Sequence, residues 1–253
     1  MIQRLFLIFV AFVVVNSSLV AKEDKTLLFY CGITMVKPMQ ELANKFGEKH
    51  NCKIRIAQGG SQDLYDSLKL AQKGDLYLPG SNSYIKTNTK DGFFKRSVYV
   101  GFNQVSIFVK KGNPKNIKSL EDFNNDNFSS VICNPKSGSI GRMSKKILTK
   151  YKGEDFFYDV FDIATEIGTD SRSLNSSLLK PQIDMTLNWR ATGFFEKNKD
   201  LITVIDIDEK YSPKKKLMLT SLSFSKYPEL ADKFIDYMDS DEGKAVMKAY
   251  GFR

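Results

Sequence analysis

The sequence has few of the side chains that carry out nucleophilic and metal chemistry. It contains one histidine, His50, and three cysteines among 253 residues. His50 falls between a predicted helix and the next strand, at the end of a parallel sheet that faces away from a ligand cleft. A Ser/His/Asp or Cys/His arrangement needs that histidine, and no spacing suits zinc. We therefore expect no catalytic residues, no metal ligands and no enzymatic activity.

The cysteines do not predict disulfide bonds either, because their number is odd. Cys31 ends the first predicted strand and Cys52 lies near the start of the second, so parallel pairing places them at opposite ends of a sheet. With Cys133 they are expected to be buried or half-buried free thiols. Glycine patterns of the Walker or dinucleotide-binding type are also missing, so no cofactor is expected.

Long apolar runs are missing from the sequence except at its N-terminus. A short basic start, residues 1–4, precedes an unbroken apolar run over 5–15, which is too short to span a bilayer. Small residues follow up to Ala21, a candidate cleavage position. We predict a signal peptide over 1–21 and a periplasmic protein with no membrane span after cleavage. An uncleaved anchor is the alternative.

Acidic residues are outnumbered by basic ones. The 38 Lys and Arg against 29 Asp and Glu give a formal charge of +9, which suits an anionic partner. The lysines are scattered, and their densest run, Lys214–Lys216, is typical of a solvated turn. Neither a basic recognition helix nor an RNA-binding aromatic pattern is present, so nucleic acid is not a predicted partner.

Strand and helix patterns alternate along the rest of the chain. Strands are predicted at 26–31, 53–57, 75–78, 105–110, 130–133, 185–189, 202–207 and 216–222. Helices are predicted at 39–50, 64–71, 142–151, 228–238 and 242–250. This predicts an α/β fold of two lobes, each a mostly parallel sheet flanked by helices, with a ligand cleft between them. Lobe 1 is expected to comprise residues 22–103 plus 207–253, and lobe 2 residues 104–206.

Glycine and hydroxyl residues gather where predicted strands pass into helices. Four such junctions occur, at 31–35, 58–63, 134–141 and 168–172. Thr34 can present its hydroxyl to the cleft, and Gly60 followed by Ser61 forms an anion cradle, because free N–H groups and the dipole of a helix start favour negative charge. Ordinary helix capping is the alternative at each junction.

An aromatic and a cationic residue follow the strand predicted at 185–189. Trp189 is the only tryptophan. Its indole N–H can donate to an oxyanion, or its ring can fill the core. Arg190 can pair with an anion through two parallel hydrogen bonds or lie on the surface.

Several short motifs at these junctions are also found together in one known family. The motifs are Leu28–Thr34 with Pro38–Ala43, Gly59–Ser61 with Leu64, Gly74–Leu78, Asn134-Pro135, and Tyr250–Phe252. Through them the chain resembles the molybdate-binding protein of ABC importers, in the type II class of periplasmic binding proteins. The resemblance implies that hydroxyls and backbone N–H groups at the four junctions hold a tetrahedral oxyanion, together with one tyrosine.

Carried over residue by residue, the resemblance gives a set of ligand contacts. Thr34 and Ser61 supply hydroxyls, Ser139 or Ile140 supplies a backbone N–H, and Ser171 supplies another. Trp189 stands where the tyrosine is expected, and the neighbouring Arg190 adds a charge that molybdate does not need. The chain also resembles exported proteins described as colonisation factors or surface antigens, which bind organic anions such as phosphoglycerate or citrate.

Three functions follow as expectations. The first is capture of a small oxyanion, molybdate or tungstate, for an ABC permease and its ATPase. The second is an organic-anion-binding surface antigen or adhesin on the same fold. The third is a secreted hydrolase that uses carboxylates alone, for which solvated Asp and Glu on helices are the simpler explanation.

Overall fold

A computed structural model describes residues 25–137 and 139–252. The predicted signal peptide lies outside these residues. The strands are β1 (Lys25–Gly32), β2 (Cys52–Gly59), β3 (Leu76–Leu78), β4 (Phe94–Asn103), β5 (Val105–Lys110), β6 (Ser130–Cys133), β7 (Glu166–Gly168), β8 (Met185–Trp189), β9 (Ile202–Asp206) and β10 (Lys215–Leu222). The helices are α1 (Val36–His50), α2 (Ser61–Ala71), α3 (Ser83–Thr87), α4 (Ser139–Lys152), α5 (Glu154–Asp162), α6 (Ser171–Leu178), α7 (Pro228–Asp239) and α8 (Asp241–Ala249).

The strands form two sheets with the same internal plan. The first has the order β2-β1-β3-β10-β4 and the second β7-β6-β8-β5-β9. In each, three neighbouring strands are parallel, and the fourth strand, β10 or β5, runs antiparallel to both of its neighbours. Four of the five strands in each sheet therefore point the same way, and the predicted two-lobe α/β fold is confirmed.

The chain passes between the sheets at two places, and these crossings fix which edges face each other. β4 ends and β5 begins with Gln104 alone between them. Because β5 runs against the rest of its sheet, its first residue lies at the edge where β6, β7 and β8 end. β10 starts in the same way at the edge where β1, β2, β3 and β4 end. Both crossings therefore lie at the carboxyl edges of the two sheets, and these edges face each other.

Gln104 holds the two crossings together. It is almost fully buried, and its side-chain amide donates to the carbonyls of Ile207 (3.1 Å) and Ser212 (2.8 Å), which lie in the return crossing. The loops that follow β1, β2 and β3 in one sheet, and β6, β7 and β8 in the other, are thereby directed at the space between the lobes. Ligands of open α/β sheets bind beyond this edge.

The helices pack as their apolar spacing predicts. The face of α1 formed by Met39, Leu42, Ala43 and Phe46 is buried, as expected from the i, i+3, i+4, i+7 pattern. The Phe46 ring packs edge to face against the Phe234 ring of α7, with the ring centres 5.1 Å apart, so the C-terminal return completes the core of the first lobe.

The sequence did not predict two of the strands, β4 and β7. Exposed polar residues interrupt the apolar pattern of β4, and β7 has only three residues.

The cysteines and the histidine lie where the sequence places them. Cys31, Cys52 and Cys133 are buried and unpaired, and β1 pairs with β2 so that Cys31 opposes Gln58 while Cys52 opposes Lys25. His50 ends α1 and stacks on the Phe46 ring at 4.1 Å, at the amino edge of the sheet and away from the cleft. Across the described ranges, no group of His, Cys, Asp and Glu is arranged to hold a metal ion.

Candidate functional site

Ser61 presents a hydroxyl that is oriented by the backbone of the next loop. It is the first residue of α2, and its Oγ accepts a hydrogen bond from the Gly80 N–H, just after β3, at 2.9 Å. Its carbonyl accepts from the Tyr77 hydroxyl at 2.8 Å. With a lone pair of Oγ engaged, the Ser61 O–H remains available to donate. Gly60, predicted with it, precedes the helix in an extended conformation and is exposed.

Thr34 lies in a 3-10 turn between β1 and α1. Its hydroxyl approaches the Met35 sulfur at 2.9 Å, and thioether sulfur is a weak acceptor, so a bound oxyanion can replace it. The preceding Gly32 packs against the loop after β3, since a Cβ at this glycine would lie 3.3 Å from the Gly80 nitrogen and from the Leu78 oxygen. The loops after β1, β2 and β3 therefore form one contiguous surface.

The three loops of the second lobe are joined in a comparable way. The Asn134 N–H donates to the Gly168 carbonyl at 2.9 Å, and the Ser137 hydroxyl donates to the Thr169 carbonyl at 3.0 Å. These bonds connect the loop after β6 to the loop after β7. The Asn188 side chain, near the end of β8, donates to the carbonyl of Ser171 at 2.9 Å.

The starts of α4 and α6 differ in charge. Ser139 and Ile140 are the first residues of α4, the first exposed and the second buried, and the first turn of this helix holds no acidic residue. Ser171 begins α6, but the Asp170 carboxylate before it already accepts from the Arg172 N–H (2.8 Å) and the Ser173 N–H (2.9 Å). Sequence reasoning missed this cap. Because the Asp170 carboxylate offsets the partial positive charge at the start of α6, the start of α4 is the more positive of the two.

Trp189 lies at the carboxyl end of β8, at the edge of the second sheet where the crossings are. It ends β8, is 7% exposed, and its ring belongs to the core of the second lobe. Among the described residues none accepts a hydrogen bond from its indole N–H. The ring therefore fills the core, as one interpretation of the sequence predicts, while donation from the indole N–H to an oxyanion stays a prediction.

Arg190 connects the two lobes. Its Nε donates to Asp206 Oδ1 at 2.9 Å and its Nη1 to the Gly251 carbonyl at 2.7 Å, while the guanidinium lies over the Phe194 ring at 4.7 Å. Gly251 precedes Phe252, which is buried in the core of the first lobe. With Nε and Nη1 bonded to other parts of the protein, the paired contact of Arg190 with an anion stays a prediction.

Replacing Arg190 with alanine is expected to lower the free energy of unfolding by about 1–2 kcal/mol, since two hydrogen bonds from a charged donor are lost. Chemical denaturation of the purified protein measures this effect. Arg55→Ala, which removes an exposed arginine on β2, is the matched control. It is expected to change the free energy of unfolding little. Equal stability of the two variants would contradict the connecting role.

Lys215 is the residue that the sequence interpretation misjudged. Lys214 and Lys216 are exposed, as a solvated turn requires, but strand alternation turns Lys215 inward. Its Nζ lies 3.2 Å from the Met143 sulfur in α4 and 5.9 Å from the centre of the Trp189 ring. Burial, followed by the nearby charge of Lys146, lowers the pKa of Lys215. The available signal was that the last lysine of the run, Lys216, starts the strand predicted at 216–222, which places Lys215 at the edge of a strand.

Comparisons with known proteins agree with this architecture. A putative binding protein of Haemophilus influenzae is 22% identical over 228 residues, which cover 89% of this chain and 90% of that protein. The substrate-binding domain of a putative molybdenum ABC transporter from Clostridium difficile superposes with a TM-score of 0.76 at 15% identity, covering 91% of this chain and 99% of that one. PEB3 of Campylobacter jejuni, bound to L-phospholactate, gives 0.65 at 20% identity, covering 90% and 99%.

At these identities the solved structures show a shared fold, and their ligands remain properties of those proteins. The sequence profile of one family supports more than a shared fold. The profile for bacterial extracellular solute-binding proteins matches residues 27–253, nearly all of the chain. Two lobes whose loops converge on one cleft are the architecture that such a function requires. This chain belongs to the family of bacterial extracellular solute-binding proteins.

Proposed function

We propose that this protein captures a small oxyanion in the cleft outside the cytoplasm and delivers it to an ABC permease with its ATPase. The observation that supports this most directly is the convergence of the helix starts of α2, α4 and α6 on the facing carboxyl edges of the two sheets. Free N–H groups at helix starts carry partial positive charge, so several of them together stabilise a negative guest.

The proposed contacts are donors from both lobes. The first lobe contributes the hydroxyls of Thr34 and Ser61 and the backbone at Gly60. The second lobe contributes N–H groups at the start of α4, at Ser139 and Ile140, and the indole of Trp189, with the Ser171 N–H as a weaker donor beside the Asp170 carboxylate. Arg190 is left out of this set because it connects the lobes.

Two classes of oxyanion fit these donors. Molybdate or tungstate is the first, in line with the motif resemblance and with the fold shared with a molybdenum-transport domain. A small phosphorylated or carboxylated organic acid is the second. The specific observation that favours the second is the position of the Lys215 ammonium over the Trp189 ring, because it places a positive charge beside the proposed donors of the second lobe.

A thermal-shift screen of the purified mature protein tests the proposal. The candidates are molybdate, tungstate, sulfate, phosphate, citrate and 3-phosphoglycerate. A ligand at a thousandfold excess over its Kd stabilises the folded state by about 4 kcal/mol, an effect that is easily measured as a higher melting temperature. An unchanged melting temperature with every one of these anions would contradict oxyanion capture.

Replacing either cleft hydroxyl is expected to weaken the interaction. Ser61→Ala and Thr34→Ala each remove one donor to the anion, so each should raise the Kd about tenfold, as the loss of a charge-assisted hydrogen bond does. Ser67→Ala is the control, because Ser67 lies on the same helix α2 with its hydroxyl bonded to the Asp63 carbonyl at 2.7 Å. If both cleft variants bind as tightly as the control, the assignment of these contacts is wrong.

A further inference from the structure

The ammonium of Lys215 is half-buried at the crossing and has no carboxylate partner in the part of the chain that the structure describes. Its surroundings are the Met143 sulfur, the face of the Trp189 ring and a second cation, Lys146. The start of α4, which lies two to four residues before Met143, adds more positive potential. A charge withdrawn from water without a counterion is unfavourable, so this position suits an anion that arrives from outside.

A second polar group beside Lys215 is also unsatisfied. Asn103, 5% exposed, is paired with Lys215 across the β4–β10 ladder, so the two side chains lie on the same face of the sheet. Its Oδ1 is one of four buried side-chain atoms that have no hydrogen-bond partner among the described residues. A native interior rarely leaves such an acceptor unpaired, which points to a bound molecule at this place.

These two groups lie apart from the hydroxyls of the first lobe. In the sheet order, β3 separates β10 from β1, and β1 with β3 separates it from β2. At the usual strand spacing, the strand that precedes Ser61 and the strand that begins with Lys215 are about 14 Å apart. A guest that engages both ends of this row needs two separate polar groups, which a lone tetrahedral oxyanion does not have.

We propose that Lys215, next to Asn103, binds the second anionic group of a small organic acid whose first anionic group is held by the cleft hydroxyls and helix starts. This inference rests on the proposed oxyanion function and narrows it to one substrate class, an organic acid with two anionic groups. The ammonium donates to a carboxylate or phosphate oxygen. Asn103 Oδ1 accepts from a hydroxyl of the guest where the guest has one.

Isothermal titration calorimetry with Lys215→Met tests the inference. The probes are L-phospholactate, citrate, inorganic phosphate and molybdate. Wild type is expected to bind an organic acid more tightly than either inorganic ion, and Lys215→Met should weaken that binding by about 10- to 100-fold, the range for a charge-assisted hydrogen bond. Lys216→Met is the control, because it removes the same charge from the exposed neighbour on the same strand.

The melting temperature of the ligand-free protein separates binding from folding. Lys215→Met is expected to melt at or above the wild-type temperature, because an uncompensated charge is replaced by a side chain that packs on Met143 and Trp189. Lys215→Arg keeps the charge and should retain more affinity than the methionine variant. Lower melting of Lys215→Met in the absence of ligand would indicate a structural lysine and overturn the inference.

The two proposals fail in different ways. If wild type binds none of the four probes and no anion of the thermal-shift screen, oxyanion capture itself is contradicted. If wild type binds one of them and the Kd values of Lys215→Met and Lys216→Met are equal, only the role of Lys215 is overturned. Tighter binding of molybdate than of either organic acid also overturns the narrowed substrate class, while leaving oxyanion capture in place.

Discussion

Gly141→Ala is expected to destabilise the second lobe by about 2 kcal/mol and to weaken ligand binding at least tenfold. A Cβ at Gly141 would overlap the Asn134 carbonyl oxygen and would lie 2.7 Å from its carbon and 3.1 Å from Pro135 Cα. All three obstacles are backbone atoms, which cannot rotate away. The first turn of α4 must therefore move off the loop after β6, and its N–H groups leave the cleft.

Denaturant unfolding and calorimetric titration with the best anion of the screen measure these two effects. Alanine has a higher helix propensity than glycine by about 1 kcal/mol, so any net loss of stability reports the clash. Gly59→Ala is the stability control, since a Cβ there makes only ordinary contacts, the nearest 3.4 Å from Leu64. If the Gly141→Ala protein were as stable as wild type, α4 would have made room for the Cβ at no cost in the free energy of unfolding, which would contradict this prediction.

Asp75→Ala is expected to lower the free energy of unfolding by about 3 kcal/mol. Asp75 is 4% exposed, and its carboxylate accepts from the Leu28 N–H of β1 at 2.7 Å and from the Ser225 hydroxyl after β10. Its backbone is also bonded on both sides, to the Leu28 carbonyl and the Leu222 N–H. Without the carboxylate, the Leu28 N–H and the half-buried Ser225 hydroxyl both lose their acceptor.

The position of Asp75 makes this prediction selective. It precedes β3, at the amino edge of the sheet and therefore at the far side from the cleft. Asp75→Ala should thus reduce stability while the Kd of the folded protein for its anion stays within about twofold of wild type, as expected for distant, independent sites. Asp66→Ala, which removes an exposed carboxylate on α2, is the control for charge. A large change in Kd would mean that the two edges of the sheet are coupled.

Much of the fold was accessible from the sequence because its determinants are local. Apolar runs predicted the buried strands β5, β6 and β8 at their observed limits, and helical spacing predicted the core face of α1. Breaks at glycine and hydroxyl residues marked the junctions that the fold directs at the cleft. The strand β4 was not predicted, because an edge strand with one exposed face carries lysine, arginine and serine instead of an apolar run.

The environment of each charged side chain was not accessible from the sequence. Arg190 and Lys215 are both cations near the cleft, but the first is bonded to Asp206 and Gly251, while the second lies against sulfur, an aromatic ring and another cation. Asp170 changed the electrostatics of its helix start by capping it. Each of these outcomes depends on a neighbour that is remote in sequence or on a side-chain rotamer.

The sequence by itself thus determined the two-lobe α/β plan and the position of the loops at the carboxyl edges of the sheets, since periodic burial and turn residues act over short stretches of chain. The tertiary structure alone decided which donors remain free at the cleft. That choice is made where the chain crosses between the sheets, because the crossing brings the start of β10 against α4 and the end of β8. Coulomb interactions depend on that spatial separation and not on distance along the chain.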